Sequence, residues 1–206
     1  MELTAEERAE IALVDQSDEE VMAEAGTYDL WGERGYTTWE RRFARPTLDF
    51  NGMWGGWQGD GVKTVTPCQA HLKITCRLVP NQDPAVVIDR IRAHVAAHPP
   101  AGARVAVVQN ESGARAYVIP RDDPFLRTAA SVLTDVYGTP PLVVRSGGSV
   151  PITETFKTIL GLDTVTIGFG LPGSKIHAPN EWFRMEDLAR ARSTYARYLE
   201  AAAGMG

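Results

Sequence analysis

Hydrophobic and polar positions alternate along this chain with two periods, one helical and one extended, and the changes between them mark its elements. Over residues 3–25, Ile11, Val14 and Val21 fall roughly on one stripe behind Thr4 as N-cap, with Glu6 and Glu7 in the first turn, so the spacing predicts a helix that Gly26 ends. Residues 50–61 (FNGMWGGWQGDG) hold five glycines and two tryptophans and read as a turn-rich loop. Residues 71–79 (HLKITCRLV) alternate as a strand, with Leu72, Ile74, Cys76 and Leu78 on one face and His71, Lys73, Thr75 and Arg77 on the other. Asp83-Pro84 then opens a helix on which Val86, Val87, Ile91 and Val95 recur, until His98-Pro99-Pro100 stops it. Residues 104–109 (RVAVVQ) read as the next strand. Strand, helix and strand after a Gly-rich hairpin predict an α+β sandwich of ferredoxin-like type that ends near Gly113.

A second unit is expected over residues 114–206. Asp122-Asp123-Pro124 starts a helix over 125–137 that Gly138 ends, and a short strand follows at 142–145. A short helix at 152–160 and an apolar strand at 164–169 (TVTIGF) come next. The last helix, 185–203, carries Leu188, Ala191, Tyr195, Tyr198 and Leu199 on one side and arginines on the other. Helices alternating with buried strands indicate α/β architecture, although two strands make a very small sheet, so this unit reads as incomplete by itself.

Composition narrows the function classes. With 206 residues, 44% hydrophobic and 23% charged, the chain is long enough for one large domain or two small ones. No stretch approaches the roughly 18 apolar residues of a membrane span. Residues 2–24 are acidic, without the basic start and apolar run of a secretory signal, and a cytoplasmic location is expected. Two cysteines, Cys68 and Cys76, are too few for a disulfide framework or a Cys-rich zinc site. A net charge of −5 argues against nucleic acid as a partner. The charge is uneven: residues 1–50 carry 13 acidic and 5 basic side chains, the remainder 13 and 16, and the acidic run reads as a solvated helix face.

Four features are candidates for chemistry. His177, in the loop between the last strand and the last helix, stands where α/β folds build their sites; it suits a ligand or acid/base role, although a lone loop histidine is more often structural. The stretch from Arg145 through Ser146, Gly147, Gly148 and Ser149 precedes a helix and offers backbone N–H groups to an anion, or forms only a tight turn. Arg77 points away from the apolar face of its strand, as a solvated edge arginine also would. His94 and His98 share the i, i+4 spacing of a metal pair but lack a Glu after the first and meet a Pro-Pro stop after the second, so they read as a polar helix face. No His-x-Asp, Gly-x-Ser-x-Gly, P-loop or dinucleotide fingerprint occurs, and no complete catalytic set is visible.

Four motifs in order carry a family resemblance: Lys63-Thr64-Val65-Thr66-Pro67, residues 73–84 (KITCRLVPNQDP), residues 145–151 (RSGGSVP), and His177-Ala178-Pro179-Asn180-Glu181. Together they resemble the C-terminal half of the carnosinase-like dipeptidases, within the aminoacylase, carboxypeptidase and succinyl-diaminopimelate desuccinylase group of zinc metallopeptidases. The resemblance spans about residues 45–203 and implies a ferredoxin-like lid, also the dimer contact, over residues 1–113, with the C-terminal part of an α/β catalytic domain over 114–206. It implies that His177 is a zinc ligand and that Arg77 and Thr64 hold the substrate carboxylate and reaction centre, Thr64 across the dimer. Gly147, Gly148 and Ser149 then contact substrate, while Ser146 stands where relatives can carry an acidic residue. Planar guanidinium for carboxylate and neutral imidazole for zinc suit those roles.

The departures are equally clear. The family's His-x-Asp pair, bridging Asp, Glu-Glu pair, further acidic ligand and His-Ser-Gly motif have no counterpart here, which leaves one of its five zinc ligands. The expected function is thus the C-terminal portion of a di-zinc peptidase acting on dipeptides or N-acyl amino acids, inactive as an isolated chain. It would be a truncated product or one half of a split enzyme that needs a separate N-terminal catalytic half; the alternative is a non-catalytic dimerisation or ligand-binding module.

Overall fold

The computed structural model describes residues 2–109, 113–145, 150–171 and 173–205. Its first 45 residues are helical in three short pieces, α1 (Ala5–Ile11), α2 (Asp18–Ala25) and α3 (Thr38–Ala44). Each opens on a reciprocal capping box, Thr4 with Glu7, Ser17 with Glu20 and Thr37 with Glu40, in which the hydroxyl accepts from the third-residue N–H and the carboxylate accepts from the cap N–H. The one helix expected over 3–25 is therefore two. Ser17 caps a fresh start, and the chain leaves the helix after Ile11; Gly26 ends α2 with φ +65°, as expected.

Strands β1 (Thr47–Gly55) and β2 (Ala70–Arg77) pair antiparallel, so the first part of the expected turn-rich loop is strand. The register pairs Leu48 with Cys76, Phe50 with Ile74 and Met53 with Leu72. A shift between Phe50 and Gly52 keeps apolar residues opposite one another across the irregularity. The opposite face carries Trp54 stacked on His71, with ring centroids 4.5 Å apart, and Lys73 over the same indole. The alternation read from residues 71–79 thus holds, but its apolar face is open: Phe50 is 64% exposed and Met53 77%.

Helices α4 (Pro84–Ala97) and α5 (Pro124–Tyr137) begin where Asp-Pro predicts, with the Asp83 and Asp123 carboxylates accepting from Ala85 and Leu126 N–H groups. Helix α6 (Pro151–Thr155) continues into a π-helical turn, Phe156–Leu160, which Gly161 ends at φ +70°. The last helix, α7 (Met185–Ala203), lies against α5, where Ala129, Val132, Ala191 and Thr194 are buried. Tyr137, Phe169 and Tyr195 continue that contact, with ring centroids 6.5 and 5.8 Å apart.

The strands expected at 104–109, 142–145 and 164–169 are not formed among the described residues, whose one sheet is the β1–β2 hairpin. Helical bonds close within a few residues, whereas a β-ladder needs a partner strand, and these segments find none. The molecule is accordingly mixed α and β; the expected ferredoxin-like sandwich is not formed among the described residues, where α4 follows the hairpin without packing on it as an element.

Candidate functional site

A cavity of about 470 Å³ opens between the end of β2, the segments 115–119, 141–145 and 164–168, and helix α5. Leu126, Ala129, Leu133, Val143, Val165 and Ile167 give it an apolar wall, and Arg45, Arg77, Arg115, Arg121 and Arg145 give it guanidinium groups. Arg145 is the most enclosed of these. It donates from Nε to Glu7 Oε1 at 2.7 Å and from Nη2 to Oε2 at 2.9 Å, with both side chains 10% exposed. Its Nη1 is buried and makes no hydrogen bond. Arg121 pairs with Glu10 and donates to the Val143 carbonyl at 3.3 Å. Burial alone would raise the Glu7 pKa, but the Thr4 N–H and the Arg145 guanidinium outweigh it and hold the carboxyl below its ordinary value.

The acidic N-terminal run is thus not simply a solvated face. Glu7 and Glu10 clamp arginines of the C-terminal part, and Glu24 accepts from the Gly173 N–H at 2.8 Å. That bond and the one from Gln16 hold the Glu24 pKa low, the Gln16 bond being the stronger cause. Sequence reasoning missed these pairings. The only signal was the charge imbalance between the two parts of the chain.

His177 lies in a loop closed at its base. Trp182 N–H donates to the Ser174 carbonyl at 3.1 Å, Trp182 Nε1 to the Gly173 carbonyl at 2.9 Å, and the Ser174 hydroxyl accepts from Leu171 N–H at 3.1 Å. Ser174 is 3% exposed. Within this loop Lys175, His177 and Asn180 all take positive φ, at 53°, 62° and 62°, a conformation side chains other than glycine adopt at a cost. The His177 ring itself is exposed.

Arg77, exposed at the end of β2, reaches the cavity, as do Arg145 and Val150 on either side of residues 146–149. Gly147, Gly148 and Ser149 lie outside the described residues. Thr64 is exposed at the centre of a three-residue turn closed by Val65 N–H to the Lys63 carbonyl, 2.9 Å. Neither Thr64 nor His177 lines the cavity. Among the described residues no three His, Cys, Asp or Glu side chains gather where a metal ion could be held. A lone imidazole does not by itself fit a two-zinc centre, which needs several ligands per ion and a bridge between them. No described helix is long and apolar enough to cross a membrane.

The sequence profile of peptidase family M20/M25/M40 matches residues 1–201. Cys-Gly metallodipeptidase DUG1 of Saccharomyces cerevisiae is 29% identical over 206 residues, covering 96% of this chain and 42% of the yeast protein. The Beta-Ala-His dipeptidase of Homo sapiens is 28% identical over 156 residues, or 75% of this chain and 31% of its own. Among solved structures, an M20 family metallo-carboxypeptidase, Sso-CP2 from Sulfolobus solfataricus, superposes with a TM-score of 0.82 at 30% identity, covering 97% of this chain and 45% of that one. Human carnosine dipeptidase 1 shares the fold, with a TM-score of 0.76 at 22% identity. The chain spans less than half the length of the curated relatives it matches.

Proposed function

Because this chain belongs to peptidase family M20/M25/M40, we propose that it is the C-terminal portion of a di-zinc metallopeptidase that hydrolyses dipeptides or N-acyl amino acids. The observation that carries the reading is the match to a metallodipeptidase along 96% of the chain. Residues 1–113 serve as lid and dimerisation domain, of ferredoxin-like type once its sheet is complete, and residues 114–206 as part of the catalytic domain. Arg77 presents its planar fork to the substrate carboxylate, supported by its place on the wall of the cavity that Arg145 and Val150 also line. The loop of Gly147, Gly148 and Ser149 contacts substrate between those flanks, and Thr64 acts from the partner copy of a homodimer. His177 offers one imidazole to a zinc ion whose other ligands come from a separate N-terminal half. Zinc in such enzymes supplies an activated water and polarises the scissile carbonyl. Alone, the chain binds no zinc tightly and turns over no peptide.

Elemental analysis of the purified chain and assays on Cys-Gly and β-Ala-His test this. The reading expects less than one tightly held zinc per chain and no turnover, whereas two zinc ions with turnover would overturn the inactivity.

One observation favours a second reading, a non-catalytic dimerisation or ligand-binding module. The apolar face of the hairpin, Leu48, Phe50, Met53 and Ile74, stands open to a partner. A stable metal-free dimer that binds ligand unaided would favour that module over the enzyme portion.

A further inference from the structure

We infer that His94 and His98 form a two-imidazole site for a divalent transition-metal ion, zinc, nickel or copper, at the C-terminal end of α4. The site is separate from the role proposed for His177. Both rings are exposed and lie side by side, centroids 4.4 Å apart and planes inclined by 32°. His98 Nδ1 lies 2.8 Å from the His94 carbonyl oxygen. A carbonyl oxygen only accepts, so Nδ1 carries the proton, and in the neutral ring the lone pair is on Nε2, directed away from the helix backbone. This is how a metal-binding imidazole is commonly oriented, through a backbone carbonyl on its other nitrogen.

The sequence spoke against a metal pair through the missing Glu after His94 and the Pro-Pro stop after His98; the first still holds, and the second does not displace the ring. His98 is the C-cap, with φ −127° and ψ 54°, and its N–H still donates to the His94 carbonyl at 3.1 Å. The second ring is held against the last turn by the contact of its Nδ1 with the His94 carbonyl. The end of a fourteen-residue helix also carries the negative pole of its dipole, which favours a bound cation. Two imidazoles on successive turns leave the remaining coordination positions to water. Borderline metals that take nitrogen ligands are therefore selected over calcium or magnesium, which take oxygen.

The test is calorimetric titration of the full chain carrying His177→Ala with nickel or zinc, repeated with His94→Gln and with His98→Gln. One ion per chain is expected, with affinity falling on the order of 100-fold in either variant, because losing one ring abolishes the chelate. Copper in place of nickel gives an electron paramagnetic resonance signal split by two imidazole nitrogens, and by one in each variant. Circular dichroism checks that helicity is kept. Binding that is absent, unchanged in both variants or lost in only one of them would overturn the inference. None of these outcomes depends on peptidase activity.

Discussion

Glu7 and Arg145 stand 138 residues apart in the chain and meet through two parallel hydrogen bonds in a nearly closed setting. Leaving one partner of such a pair buried alone costs more than removing both. Glu7→Gln should therefore destabilise by about 3 kcal/mol, while Glu7→Met with Arg145→Met should cost much less, measured by urea unfolding. Since Glu7 titrates below its unfolded value, the stability it contributes is complete above the ordinary carboxylate range. It is lost as pH falls below about 4 and through the depressed value, and the Glu7→Gln variant should show a shallower acid loss. At this scale the sequence showed the character of single residues, such as Arg77 on the polar side of its strand and the acidic nature of residues 1–25, but not who pairs with whom. Pairing across so long a stretch of chain leaves no local pattern.

The later helices and the strand at residues 71–79 were readable, whereas helix α3 and the absence of strands at 104–109, 142–145 and 164–169 were not, for a physical reason. Asp123-Pro124 and Gly138 announce α5 at both ends, because cap and breaker act within a few residues of the bonds they satisfy or end. Replacing Asp123 by Ala should cost about 1 kcal/mol of stability. The Ser17 to Glu20 box was equally local and marks the break in the first helix, although apolar spacing across residues 3–25 obscured it. Residues 164–169 have the composition of a strand, yet a strand exists only with a neighbour. The α5–α7 contact offers a sharper test. Thr194 is fully buried, its hydroxyl donating to the Arg190 carbonyl, and Ala191 is 8% exposed. Thr194→Val keeps the shape and should change the unfolding midpoint little. Ala191→Leu inserts volume into a close contact and should cost about 1–3 kcal/mol.

Across the whole molecule, little apolar surface is enclosed. Among the described residues five hydrophobic side chains are buried, Ile11, Ala44, Ala129, Val132 and Ala191, while the hairpin face and many larger side chains are exposed. Such a surface should bind a hydrophobic dye and promote self-association in the isolated chain, and a monodisperse monomer without dye binding would contradict this. The family was legible from four ordered motifs, and the profile match over residues 1–201 bears it out. The geometry joining them was not: Arg77 reaches the cavity, whereas Thr64 and His177 stand apart from it. The spans matched are under half of each relative. The most direct measurement is hydrolysis of Cys-Gly in the presence of zinc by this chain, alone and mixed with a polypeptide bearing the family's N-terminal half. Activity only in the mixture, abolished by His177→Ala, is the predicted result; turnover by the chain alone, indifferent to that substitution, would contradict it.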